Sequence, residues 1–117
     1  MGRLSTHVLD TARGKPAAGM AIRLYACDDS ERRLLKSVTT NADGRTDQPL
    51  LGAEEMRAGQ YELVFYVGDY FAGKSSSQTK VRFLDRVPVR FGISDANASY
   101  HVPLLVTPWA YSTYRGS

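Results

Sequence analysis

Alternation of apolar and polar residues at period two, interrupted by turn formers, is the feature of this chain that most constrains its fold. Successive side chains on a strand point to opposite faces, so such a pattern describes strands half-buried against a second layer. From Met20 to Cys27, Met20, Ile22, Leu24 and Ala26 share one face while Ala21, Arg23, Tyr25 and Cys27 share the other. Leu34 to Thr40 and Tyr61 to Val67 read the same way, the latter with aromatic residues on both faces. Val87, Val89, Phe91 and Ile93 alternate with Pro88, Arg90 and Gly92, and Pro88 marks a strand start or an edge because it cannot donate to a ladder. Leu4 to Asp10 and Tyr100 to Val106 complete the set. Reversals are expected at Arg13-Gly14-Lys15-Pro16, Asn41-Ala42-Asp43-Gly44 and Ser94-Asp95-Ala96-Asn97. Helix is scarce, with candidates only at a turn near Ala53 to Arg57 and a short segment within Asp69 to Lys74. The pattern predicts an all-β, two-sheet sandwich of about seven or eight strands with one short helix. At 117 residues and 43% hydrophobic, residues 1–117 are expected to form one domain.

Composition excludes several classes of function. The net charge is only +3, the basic residues are dispersed, and Arg32-Arg33 is accompanied by no nucleic-acid signature, so no nucleic-acid partner is expected. A mild positive field suits a small anion better than a duplex. The longest apolar stretch, around Leu63 to Val67, falls far short of the about 18–20 residues that span a bilayer, and Met1 to Asp10 lacks the apolar region of a secretory signal. No membrane association is expected. Cys27 is alone, which excludes an intramolecular disulfide and makes a reducing, cytoplasmic setting the default. The Asn97-Ala98-Ser99 acceptor therefore carries little weight.

The two histidines of the chain both stand on strands, on the side opposite the apolar set. In Leu4–Asp10, His7 shares a face with Ser5 and Leu9; in Tyr100–Val106, Val102, Leu104 and Val106 form the core face, which turns His101 outward. Two ordinary surface histidines would look the same. Two histidines without a third well-spaced ligand make a weak case for zinc, and no metal is expected. An imidazole pair facing one cavity could instead act as general base and acid near neutrality. Arg45 follows Asp43-Gly44 at an expected hairpin tip, either as a solvated turn residue or as a fork that grips a planar anion. β-Forming residues continue through Tyr111-Ser112-Thr113-Tyr114-Arg115-Gly116-Ser117, which reads either as a final edge strand or as an ordered tail lining a site. Ser112 has no nucleophile-elbow context, and Cys27 no neighbouring base.

Three segments together resemble one family. Leu4-Ser5-Thr6-His7-Val8-Leu9-Asp10-Thr11-Ala12 with Gly14, Pro16 and Ala17, then Gly44-Arg45, then Tyr100-His101-Val102-Pro103-Leu104-Leu105 with Pro108 and the Tyr111 to Ser117 ending, are similar to the transthyretin-related 5-hydroxyisourate hydrolases of urate breakdown. The resemblance spans essentially the whole chain, and the terminal Tyr-Arg-Gly-Ser is its most specific part. It implies a transthyretin-like sandwich assembled as a homotetramer, a dimer of dimers with a central channel. It implies His7, Arg45 and His101 as catalytic residues, and Tyr114, Arg115, Gly116 and Ser117 as substrate-binding residues. The implied reaction opens the ring of 5-hydroxyisourate at the N1–C6 amide, giving 2-oxo-4-hydroxy-4-carboxy-5-ureidoimidazoline, with no cofactor. The rival readings are a non-catalytic carrier of transthyretin type and a ligand-free interaction module. Neither needs two histidines, an arginine and the Tyr-Arg-Gly-Ser ending in one place.

Overall fold

The computed structural model describes residues 2–74 and 80–116; Ser117, the last of the expected site residues, lies outside them. Eight strands form two four-stranded sheets. β1 (Leu4–Asp10), β2 (Lys15–Pro16), β7 (Tyr100–Val106) and β8 (Tyr111–Thr113) make one sheet in the order β2-β1-β7-β8. β3 (Ala21–Cys27), β4 (Arg32–Thr39), β5 (Gly59–Tyr66) and β6 (Arg86–Ile93) make the other in the order β4-β3-β5-β6. All pairings are antiparallel except β1 with β7, which run parallel over seven residue pairs from Leu4↔Tyr100 to Asp10↔Val106. Among the described residues, no helix is long and apolar enough to cross a membrane.

The expected alternation holds on β1 and, apart from the buried Pro103, on β7, whereas on β4 it fails, since Leu34 is exposed and the neighbouring Leu35 packs against the core. β1 and β7 bury every second residue, so Leu4, Val8, Leu104 and Val106 point into the sandwich while His7 and His101 point away from it. Ile22 and Leu24 of β3, Leu63 and Phe65 of β5 and Val87 of β6 meet them from the opposite sheet, all nearly inaccessible to solvent. Tyr25 departs from the simple pattern: it is buried next to Leu24, where the β3–β4 register shifts.

Two local expectations are corrected. Val67, read as the end of a strand, instead opens α1 (Val67–Ala72), and the stretch near Ala53 forms a turn without a helix. Val67 and Phe71 belong to the hydrophobic core, so the chain coils where its apolar residues shift from period two to a four-residue spacing. Tyr70 of α1 donates its hydroxyl to the Asp10 carboxylate at 2.8 Å, and the Arg13 backbone N–H donates to the other oxygen at 3.0 Å. Asp10 is thereby satisfied although fully buried. Burial first, and the neighbouring carboxylate second, push the Tyr70 hydroxyl up to about 12.

Arg45 is not at a hairpin tip. β4 pairs only with β3, and after Thr39 the chain leaves that sheet and crosses to β1. Asn41 organises the crossing: its side-chain oxygen accepts from the Asp43 and Arg45 backbone N–H groups, and its backbone N–H donates to the Arg45 carbonyl. The Val8 N–H then donates to the Gly44 carbonyl at 2.8 Å, which pins the turn onto the middle of β1. Gly44 has φ +75°, and a Cβ there would collide with the Val8 carbonyl oxygen. Gly44→Ala is expected to lower stability by about 1–3 kcal/mol, the usual cost of a side chain in this backbone region, measured by urea denaturation. A stability equal to that of the parent would show that the turn is not held against β1.

Candidate functional site

The parallel ladder decides what stands on the outer face of the first sheet. Ser5 is opposite His101 and His7 opposite Pro103, so the two imidazoles lie on adjacent strands, two residues apart along the ladder, with the same orientation. Ser5 and His101 meet directly, Oγ to Nδ1, at 2.8 Å. The turn pinned to Val8 brings Arg45 to this face as well. A groove of about 320 Å³ is lined by Arg3, Ser5, Arg45, Ser99, Tyr100 and His101.

Both rings are half-buried and both titrate below the ordinary 6.5. For His101 the causes are burial, then the Arg45 charge, then His7. For His7 they are burial and the Arg45 charge, opposed by a hydrogen bond to the Asp43 backbone carbonyl and by the Asp43 charge. Desolvation and a nearby cation both disfavour imidazolium. The site therefore presents two neutral imidazoles and one guanidinium near pH 7, which is a proton acceptor, a proton donor and an anion holder on one surface. Among the described residues, no group of three or more His, Cys, Asp or Glu side chains could hold a metal ion.

The C-terminal residues divide. Gly116 pairs with His101 as an isolated bridge, its N–H donating to the His101 carbonyl at 2.7 Å. A Cβ at Gly116 would sit 2.6 Å from His101 Cδ2, so only glycine lets the tail lie this close to the ring. Arg115 turns the other way: its guanidinium stacks 4.1 Å from the Tyr100 ring centroid and reaches the Ser99 carbonyl at 3.4 Å. With Tyr114, it lines another cleft of about 290 Å³, walled by residues of β6, β7 and β8, which shares Tyr100 with the first groove. Within one chain, His7, Arg45, His101 and Gly116 come together, whereas Tyr114 and Arg115 do not join them.

Ser5, Arg3, Ser99 and Asp43 were not singled out for a role by sequence reasoning. Ser5 stood on the right face in the period-two reading, but its contact with His101 depends on a parallel pairing between strands some 96 residues apart.

Comparison with known proteins identifies the family of the chain. The profile of the HIUase/Transthyretin family matches residues 4–116. A 5-hydroxyisourate hydrolase of Mesorhizobium japonicum is 60% identical over 99% of this chain and 93% of its own length. One from Ralstonia nicotianae is 56% identical over the full length of both. Among solved structures, the Klebsiella pneumoniae 5-hydroxyisourate hydrolase superposes with a TM-score of 0.80 at 34% identity, covering all of both chains. An (S)-allantoin synthase gives 0.91 at 47% identity over 99% of this chain and 44% of that longer one. Sea bream transthyretin in complex with thyroxine, at 23% identity and a TM-score of 0.85, shares the fold over 97% of this chain and 94% of its own. With its strand order, its outward imidazole pair and full-length relatives of this kind, the chain belongs to the HIUase/transthyretin family.

Proposed function

We infer that this protein is a 5-hydroxyisourate hydrolase, an enzyme of urate and purine breakdown, in agreement with its full-length relatives of that name. The observation that supports the reading is geometric: the β1–β7 register turns both imidazoles to one face, where Arg45 and His101 line a groove, and the Arg45 charge lowers the pKa of both rings. Binding a neutral aromatic ligand would require no such cluster.

The reaction adds water to the C6 carbonyl of 5-hydroxyisourate and breaks the N1–C6 bond. One neutral imidazole takes a proton from the attacking water as oxygen bonds to C6. The imidazolium so formed passes that proton to N1 as it departs, with the other ring donating a hydrogen bond there, and C6 becomes the new carboxyl group of 2-oxo-4-hydroxy-4-carboxy-5-ureidoimidazoline. Arg45 holds the anionic substrate and faces the charge that develops on the C6 oxygen. Gly116 packs against the His101 ring and restrains it. Tyr114, Arg115 and Ser117 contribute to substrate binding once protomers assemble. The proposed assembly is a homotetramer, a dimer of dimers whose central channel completes the sites. The lone Cys27 fits a cytoplasmic enzyme.

Freshly generated 5-hydroxyisourate, followed by its ultraviolet decay, tests the assignment. His7→Ala and His101→Ala are each expected to lower kcat by about 10²–10⁴-fold, the usual contribution of a positioned acid or base, and Arg45→Gln by about 10²–10³-fold. Wild-type rates in any of the three would remove that residue from the mechanism.

The pH profile carries a definite sign. Both rings have pKa values below 6.5 in the folded protein, so the catalytic neutral forms persist above that value. On acidification below 6.5, kcat/KM is expected to fall as the rings take up protons. Stability falls in the same window, because the unfolded chain accepts those protons more readily. An acidic limb centred above 6.5 would contradict the neutral pair. Light scattering is expected to give four times the chain mass of 12.9 kDa. A fully active monomer would dismiss the channel.

A further inference from the structure

The His101 ring is gripped on both edges that flank its Cγ. On one edge the Ser5 hydroxyl lies 2.8 Å from Nδ1. On the other, the Gly116 backbone is so near Cδ2 that no Cβ would fit between them. The remaining end of the ring, Cε1 and Nε2, is left for the groove. Among the described residues the Ser5 hydroxyl has no other hydrogen-bond partner.

A serine hydroxyl can donate to a bare Nδ1 or accept from a protonated one, and the choice sets what Nε2 carries. The rest of the site limits that choice. Of the two rings, His101 is the one whose Nδ1 meets a hydroxyl, a partner able to donate to it and leave the N–H on Nε2 at the groove end. The pair must present one bare nitrogen to the attacking water and one N–H to the departing N1, and the Ser5 contact suits His101 to the N–H. We propose that Ser5 is a positioning residue: it donates its hydroxyl to Nδ1 of His101 and so holds that ring as the Nε2–H tautomer, which donates a hydrogen bond to the departing N1, while His7 takes the water proton as base and passes it on to N1.

The catalytic part of this proposal rests on the hydrolase reading, whereas the tautomer is a property of the folded protein alone. Two experiments keep them apart. With two histidines in the chain, a long-range ¹H–¹⁵N spectrum of the imidazoles above pH 7.5 is simple to assign with the help of His7→Gln. The expected wild-type pattern is Nε2–H for His101, with Nδ1 shifted as a hydrogen-bond acceptor. In Ser5→Ala, Nδ1 should move to the position of an unbonded nitrogen, and Ser5→Thr, which keeps the hydroxyl on a strand-compatible side chain, should restore it. In turnover, Ser5→Ala should lose about 10–100-fold in kcat, the range for removing the partner that orients a histidine ligand, with little change in KM; Ser5→Thr should recover most of that loss. An Nδ1–H signal for His101 in the wild type would overturn the proposal, as would a Ser5→Ala enzyme with undiminished kcat. A wild-type protein inactive toward 5-hydroxyisourate would instead overturn the hydrolase reading, leaving the spectrum to decide what Ser5 does to the ring.

Discussion

The parallel pairing of β1 with β7 is the constraint on which the site depends. A parallel ladder cannot be closed by a tight turn and needs a long connection; here most of the chain, including the entire second sheet, lies between the two strands. That topology brings a residue near one end of the sequence beside a residue near the other. Slipping the ladder by one residue on either strand would turn one imidazole inward among Val8, Val102 and Leu104. The buried set on each strand therefore fixes the register of the catalytic set, and packing and chemistry are written on alternate residues of the same segments.

Charge is arranged with the same economy. A guanidinium beside two imidazoles would be costly if the rings were protonated, and the arrangement is stable because burial and Arg45 keep them neutral. The arginine thus has two effects on one surface: it attracts an anion, and it keeps its neighbours in the forms that move protons. Asp43 restrains the effect on His7, whereas among the described residues no carboxylate does so for His101, which makes the two rings chemically unequal despite their matching placement.

Much of this was legible in the sequence. Alternation identified the strands, the outward direction of His7 and His101, and the sandwich, because period two is a local property that tertiary structure leaves intact along β1 and overrides only locally at Tyr25, Pro103 and on β4. What was not legible depended on long-range register or on competition between local preferences. Asn41-Ala42-Asp43-Gly44 carries the signature of a hairpin turn, yet the chain beyond it pairs across to β1 and not back along β4. Val67 continued an apolar run and coiled instead, since Phe71 offered it a helical neighbour over the core. The partnership of Ser5 with His101 required knowing that the strands run parallel. The division of the tail, with Gly116 on the imidazole side and Arg115 over Tyr100, follows from edge geometry that no residue pattern announces.

The first strand is anchored at both of its ends. Leu4 exchanges backbone hydrogen bonds with Leu50 and Leu51 at one end, and Asp10 is bound by Tyr70 and Arg13 at the other. A segment restrained in this way has little freedom to slide or fray, so Ser5 and His7 ride on a rigid beam. Adaptation to the substrate has to come from the parts that meet that beam from outside, the Arg45 crossing and the terminal tail, and changes that tune affinity should accumulate in those two segments before they reach the strand itself.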